Sequence, residues 1–388
     1  FNPWNRRWTL QPKMTTGGRW YPGQVTMPDG RALVLGGYSD VEPGGVFNDT
    51  TEVFTPSPDM NGQGTFEHMP SADRRTALYP HLLTMPSGEI FLAGPARGDS
   101  ALLNTSTFTW RKIKAPVQSR VGGTIVRMNP TPFGTTQVRQ IGGYDPQPGP
   151  PENLGPGPDA PAVSTTETVD VSEGFPIWRT DVAQMHYARS YHNTTVLPDG
   201  SMVTIGGGRG NFDPDQNYSL YADHRTRKVE LWDPSSGTWR LGPSEVEDRA
   251  YHSTAVLLPD GRVWSGGDDF HPDKIHDSAE IYSPPYLFKG ARPRITAAPS
   301  TLAWDATFNV SARGNAVRAV MMAPSAVTHA DEMNARLIPL RLGQKTGGGL
   351  TLQAPPNANV APPGYYMLFV LNDRGVPSVA RWLRLGAA

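Results

Sequence analysis

Three observations predict an all-β fold. The 388 residues include 41 Gly and 39 Pro, with 18% charged and 37% hydrophobic residues, and this punctuation suits many short strands joined by turns better than packed helices. One pattern, an apolar run, a tight turn and a second run closed by Gly, recurs through most of the chain. From about Ala291 it gives way to short alternating strands of another spacing.

The recurring pattern occurs at WYPGQVTMPDGRALVLGG from Trp20, LYPHLLTMPSGEIFLAG from Leu78 and GGTIVRMNPTPFGTTQVRQIGG from Gly122. It returns at RSYHNTTVLPDGSMVTIGG from Arg189 and RAYHSTAVLLPDGRVWSGG from Arg249. In each, Pro-Asp-Gly or an equivalent supplies a hairpin turn, with Gly taking the positive φ that other residues resist. A further strand pair follows each hairpin, such as TEVFTPSP from Thr51, RKVELWDPSSGTW from Arg227 or AEIYSPPYLF from Ala279. Four strands per unit at this spacing predict a kelch-type β-propeller, with about five blades visible. The SSGTW turn from Ser235 fits kelch-type blades as well as sialidase propellers, so it supports a propeller and no particular activity.

Residues 145–165 are too rich in Pro and Gly for regular structure and read as a loop inserted in a blade, since TTETVDV from Thr165 resumes the strand pattern. The segments RPRITAAPSTLAWDATFNVSA, AVRAVMMAP, RLIPLRL, GLTLQAP, YYMLFVLND and VARWLRL predict a β-sandwich of about 100 residues, with Asn372 to Gly375 as a hairpin connection. The predicted division is 1–290 for the propeller blades and 291–388 for the sandwich.

Charge narrows the partners. The 35 basic and 36 acidic residues are scattered, which gives no footprint for nucleic acid or an anionic membrane. No apolar stretch approaches the roughly 20 residues of a transmembrane helix, and Phe1 begins no recognisable signal peptide. With no Cys, the chain itself offers no disulfide, thiolate ligand or Cys nucleophile.

The later blades, the PPYLF exit at Pro284–Phe288 and the ending PPGYYMLFVLNDRGVPSVARWLRL from Pro362 resemble the copper radical oxidases, the family of galactose oxidase and glyoxal oxidase. The segment RWYPGQVTMPDGRALVLGG is closer to the glyoxal oxidase branch. The resemblance implies a seven-bladed propeller capped by an immunoglobulin-like sandwich, one copper on the propeller axis, and an extracellular or cell-surface setting. It implies conversion of primary alcohols or aldehydes, with carbohydrates among the candidate substrates, while O₂ is reduced to hydrogen peroxide. Carried over by position, the radical tyrosine matches Tyr21 in RWYP, the axial tyrosine and its neighbouring histidine match Tyr251 and His252 in RAYHS, and the last ligand matches His329 in PSAVTHADEMNARLIPL. Imidazole and oxygen ligands in a tetragonal arrangement suit Cu(II). In this scheme Tyr21 and Tyr251 are also catalytic, as hydrogen-atom and proton acceptors.

Tyr251 and His252 raise a geometric difficulty, because adjacent strand residues face opposite sides and reach one metal only where a strand ends or bulges. The twin pair Tyr191 and His192 reads as scaffold, with His192 at most near the site. Tyr21 alone would be an ordinary core aromatic, and His329 alone a surface-loop histidine. His271 and His276 in DDFHPDKIHD have the spacing of a second metal pair, although such loops are usually solvated turns. Asp268 and Asp269 are the only suggestive carboxylate pair for a glycoside hydrolase and read rather as turn residues.

The family joins its radical tyrosine to a cysteine by a thioether, which this chain cannot supply. The expectation is therefore either a longer polypeptide whose further segment holds the cysteine and completes the propeller, or an enzyme without the cross-link. Counting from Tyr21, the aromatic that covers the cross-link in galactose oxidase falls at Ser39, so Tyr38 beside it or an aromatic from elsewhere is expected there. The rival reading is a non-catalytic propeller that binds glycans or a protein partner.

Overall fold

The computed structural model describes residues 1–2, 5–39, 46–145, 162–208, 226–268, 277–346 and 349–386. It is all-β, a propeller followed by a sandwich, with no α-helix among the described residues.

Five antiparallel sheets follow one another along the chain, their strands hydrogen-bonded in sequence order. The first comprises Gly23–Thr26, Ala32–Leu35, Thr51–Thr55 and Thr65–His68, and the second Leu82–Thr84, Ile90–Ala93, Ser100–Asn104 and Thr109–Lys112. The third comprises Thr124–Met128, Gln137–Ile141, Thr166–Asp170 and Arg179–Thr180, and the fourth Ser190–Val196, Met202–Gly208, Lys228–Asp233 and Thr238–Ser244. The fifth has three described strands, Ser253–Leu257, Val263–Gly267 and Ala279–Tyr282. Most of the inserted loop expected at 145–165, residues 146–161, lies outside the described residues.

Every expected hairpin forms. Asp29 and Asp260 each accept their own arginine's backbone N–H two residues on, at 3.0 Å, and Gly30 and Gly261 take φ of +86° and +80°. The first strands of successive sheets pack side by side, Gly23–Thr26 on Leu82–Thr84 and Ser190–Val196 on both Thr124–Met128 and Ser253–Leu257, which turns their starts toward a common centre.

An ion pair closes four of the sheets, buried in the first, third and fourth and half-buried in the fifth. Arg19, Arg120, Arg189 and Arg249 each precede a first strand and donate to a carbonyl of the second, at Gly36, Gly142, Gly206 and Gly267. Each faces a third-strand carboxylate: Glu52 at 3.1 Å, Glu167 at 3.1 Å, Glu230 at 2.8 Å and Glu280 at 3.9 Å. The same carboxylates accept backbone N–H groups of the incoming loop, from Thr15, Val117, His186 and Val246. Each pair thus ties a sheet to the segment that enters it, and the hydrogen bonds offset the desolvation of burying two charges. In the second sheet Ala77 and Ala101 stand at the corresponding places.

The sandwich is made of two sheets. One is ordered Arg294–Ala297, Thr307–Arg313, Gly349–Gln353, Arg341–Thr346, and the other Thr301–Leu302, Arg381–Leu385, Gly364–Asn372, Ala316–Met322, Leu337–Pro339. Phe308, Val310, Leu350 and Leu352 of the first pack with Met321, Leu368, Val370 and Leu383 of the second, an apolar core fed by strand alternation. At the expected turn, Asn372 Oδ1 accepts the N–H groups of Arg374 and Val376 at 3.0 and 2.9 Å. Val320, Met322, Met367, Phe369 and Leu371 join a second core with the fourth and fifth propeller sheets, so one apolar cluster binds the two parts together.

A short hairpin crosses that interface. Val327–Thr328 pairs with Asp331–Glu332, and the first strand packs on Ser253–Leu257 while the second packs on Thr124–Met128 and Ser190–Val196. Glu332 accepts three backbone N–H groups at its base, from Ala326, Asn334 and Ala335 at 2.8, 3.0 and 2.9 Å. The hairpin tip, His329 and Ala330, is thereby carried to the centre where the first strands converge.

Candidate metal centre

The repeat sets one residue per blade at the mouth of the first strand: Tyr21, Tyr79, Gly122, Tyr191 and Tyr251. Four of these are phenols, and the propeller aims them at one place. Tyr21, Tyr79 and Tyr191 have φ of +62°, +54° and +51°, values that side chains other than Gly rarely adopt. Gly122 shares the conformation at +64°, and a Cβ there would come within 2.9 Å of the Tyr191 nitrogen.

The fifth sheet departs from its siblings in which residue is left-handed, His252 in place of the repeat tyrosine. Its first strand begins at Ser253, and Tyr251 and His252 belong to the turn before it, closed by Ser253 N–H to the Ala250 carbonyl at 3.0 Å. His252, with φ +62°, takes the left-handed conformation. That turn removes the strand alternation, so both rings face one side. Asp268 accepts the Ala250 N–H at 3.1 Å and fixes the turn, which makes it a structural residue.

Four of the predicted residues come together. The Tyr251 hydroxyl donates to the Tyr21 oxygen at 3.2 Å. The His329 ring centre lies 4.8 Å from Tyr21, 5.1 Å from Tyr251 and 4.5 Å from His252. The Thr328 hydroxyl and His329 Nδ1 are hydrogen-bonded at 2.7 Å, so Nε2 is the nitrogen this ring would offer a metal. His252 is exposed while Tyr21, Tyr251 and His329 are half-buried, which leaves the cluster within reach of a small solute.

Burial and the Tyr21 hydroxyl push the Tyr251 phenol well above its ordinary range. Tyr79 is raised too, first by burial and then by Tyr251. A bound cation would reverse that trend by favouring phenolate. The donor set, two phenol oxygens and two imidazoles from separate segments, fits Cu(II), which takes N and O ligands in a tetragonal arrangement. Among the described residues no three His, Cys, Asp or Glu side chains group together, so the phenols are essential to any metal site here.

His192 is elsewhere. It lies within the strand Ser190–Val196, fully buried, its Nε2 3.3 Å from the Thr124 hydroxyl. Tyr191, its neighbour, meets Tyr251 edge to face at 4.9 Å. Tyr38 lies one layer out, 6.0 Å from Trp20 and 4.7 Å from Phe47. The ring that stacks on Tyr21 is Trp20, at 4.1 Å and 23°, so of the two expected sources it is an aromatic other than Tyr38. His271, His276 and Asp269 lie outside the described residues.

The sequence reading passed over Tyr79, although it stands in the repeat at the register of Tyr21. Its hydroxyl is 3.0 Å from that of Tyr251. Its ring stacks on His329 at 4.3 Å and 27°.

Residues 292–385 match the family model described as "Galactose oxidase-like, Early set domain". Galactose oxidase of Gibberella zeae is 29% identical over 407 residues, covering 97% of this chain and 56% of that protein. Aldehyde oxidase GLOX1 of Arabidopsis thaliana is 28% identical over 438 residues, covering 97% of this chain and 65% of that protein. The chain thus spans little more than half the length of the galactose oxidase it matches. The structure of a fungal alcohol oxidase of the AA5 family, in complex with copper, superposes with a TM-score of 0.77 at 24% identity, covering 96% of this chain and 77% of that one, and shares its fold.

Proposed function

We propose, from the premise that this chain is a homologue of galactose oxidase and of the GLOX aldehyde oxidases, that it oxidises primary alcohols or aldehydes with O₂ at a mononuclear copper held by Tyr21, Tyr251, His252 and His329. The observation that carries the reading is the convergence of two phenol oxygens 3.2 Å apart with two imidazoles from different parts of the chain. In this reading residues 1–290 supply both phenols and one imidazole, and residues 291–388 supply the other through the inserted hairpin. An extracellular or cell-surface location fits the same kinship.

Oxidation of a primary alcohol to an aldehyde releases two electrons and two protons, and reduction of O₂ to hydrogen peroxide takes up the same number. When bound, copper supplies a one-electron acceptor and a place for O₂ chemistry. The chain's own groups do the rest. Tyr251, as phenolate, would accept the substrate hydroxyl proton; Tyr21, oxidised beforehand by O₂ to a phenoxyl radical, would take the hydrogen atom from the adjacent carbon while the second electron goes to the one-electron acceptor; and His252 and His329 would hold the geometry by imidazole coordination. A thioether on Tyr21 would need a sulfur that these 388 residues lack. Trp20, stacked on Tyr21, offers a polarizable aromatic face to the same phenol.

The test is to titrate the metal-free protein with Cu(II), follow it by electron paramagnetic resonance, and measure peroxide from small primary alcohols, aldehydes and carbohydrates. One tetragonal copper per chain with peroxide formation is expected. Failure to bind copper would leave a binding-only propeller as the better account.

A further inference from the structure

We propose that Tyr79 is a positioning residue for Tyr251, holding its oxygen through a donated phenolic hydrogen bond while its ring braces His329. The inference rests on the copper reading for its consequence, and on geometry alone for the contact itself.

Tyr251 has a single hydroxyl proton, and it is given to the Tyr21 oxygen at 3.2 Å. Toward Tyr79, 3.0 Å away, Tyr251 can then only accept, so the donor is Tyr79. The result is a directional chain, Tyr79 to Tyr251 to Tyr21, which fixes the lone pairs that Tyr251 presents to the centre. The same side chain stacks on His329 and lies 4.5 Å from the Tyr21 ring. One residue thus touches three of the four proposed ligands.

Tyr79 shares the left-handed backbone of Tyr21 and Tyr191, with φ of +54°, and its N–H donates to the Tyr21 carbonyl at 3.1 Å. A residue that merely filled the core would gain nothing from the hydroxyl, since Phe occupies the same space. A directed O–H at the ligand oxygen, together with a ring stacked on His329, points to positioning.

Tyr79→Phe keeps the ring and deletes the donor. In metal-free protein, the melting-temperature losses of Tyr79→Phe and Tyr251→Phe are expected to be non-additive, the double variant losing no more than the worse single one. Additive losses would show that the two hydroxyls do not interact and would overturn the proposal. In copper-loaded protein, Tyr79→Phe is expected to bind one copper with a displaced phenolate-to-copper absorption band and a kcat lower by about tenfold, within the range seen when a group that orients a ligand is removed. An unchanged band and kcat would overturn the positioning role. Should the parent bind no copper, the copper reading fails on that result, and the metal-free cycle still decides whether Tyr79 holds Tyr251.

Discussion

The rings of Tyr251 and His252 lie 3.9 Å apart at 37°, although the residues are adjacent in a segment whose twin copy lies inside a strand. In that twin strand the left-handed residue is Tyr191, at +51°, while His192 pairs with Gly206 and is fully buried. In the fifth sheet the left-handed residue is instead His252, at +62°, in the turn before Ser253, and the two neighbouring rings come together.

From this difference the same substitution should act differently in the two copies. His252→Ala and His329→Ala are expected to abolish the tetragonal Cu(II) signal, whereas His192→Ala keeps one copper per chain and costs at most about 10–100-fold in rate. Parallel copper titrations monitored by electron paramagnetic resonance decide it. Loss of copper in His192→Ala alone would assign the site to the wrong copy.

Tyr251→Phe retains the ring that packs against Tyr191 and His252 and removes the oxygen. The expected outcome is a folded protein whose turnover falls by about 10²-fold or more, the usual contribution of a positioned proton acceptor. Steady-state peroxide assays alongside metal analysis separate lost turnover from lost copper, and full activity would remove Tyr251 from the chemistry.

The buried pair of Arg120 and Glu167 can be tested against the molecule's own second sheet, where Ala77 and Ala101 replace both charges. Arg120→Ala leaves a buried carboxylate without its cation and is expected to cost about 3–5 kcal/mol. Adding Glu167→Ala should recover part of that loss in chemical denaturation, because no uncompensated charge remains. A double variant less stable than Arg120→Ala would contradict this.

Glu245 occupies the place that Met185 fills in the preceding sheet, each four residues before a buried arginine, and it borders a cavity of about 550 Å³. Its Oε1 accepts from Ser265 at 2.8 Å, and Oε2 has no hydrogen-bond partner. Burial pushes this carboxyl up to about 7 from an ordinary 4.5. The folded protein therefore holds a proton that the unfolded chain releases between those values, and stability falls as pH rises through that window. Glu245→Gln removes this dependence and should gain up to about 3 kcal/mol above pH 7, with little difference below pH 4.5. Melting curves of both proteins at pH 4.5 and pH 8 check the sign.

Much of this architecture is written locally. Gly30, Gly200 and Gly261 fix hairpins because their φ is positive and the flanking runs alternate, and both are properties of a few consecutive residues. The same holds for the sandwich strands after Ala291. The repeat also carried the register of Tyr21, Tyr79, Tyr191 and Tyr251, and the spacing of arginine and glutamate behind it.

Which phenols meet was decided in three dimensions. Tyr79 and Tyr191 occupy equivalent places in the repeat, yet Tyr79 shares a hydroxyl contact with Tyr251 while the Tyr191 ring meets it at 4.9 Å and 87°. Trp20, not Tyr38, covers Tyr21, and His329 arrives on a hairpin from the other domain. These outcomes depend on how the first strands converge and on left-handed backbone conformations sustained by contacts between residues distant in sequence. The periodicity of the sequence records which face of a strand is buried; the direction of a ring at the strand's end is set only by what packs around it.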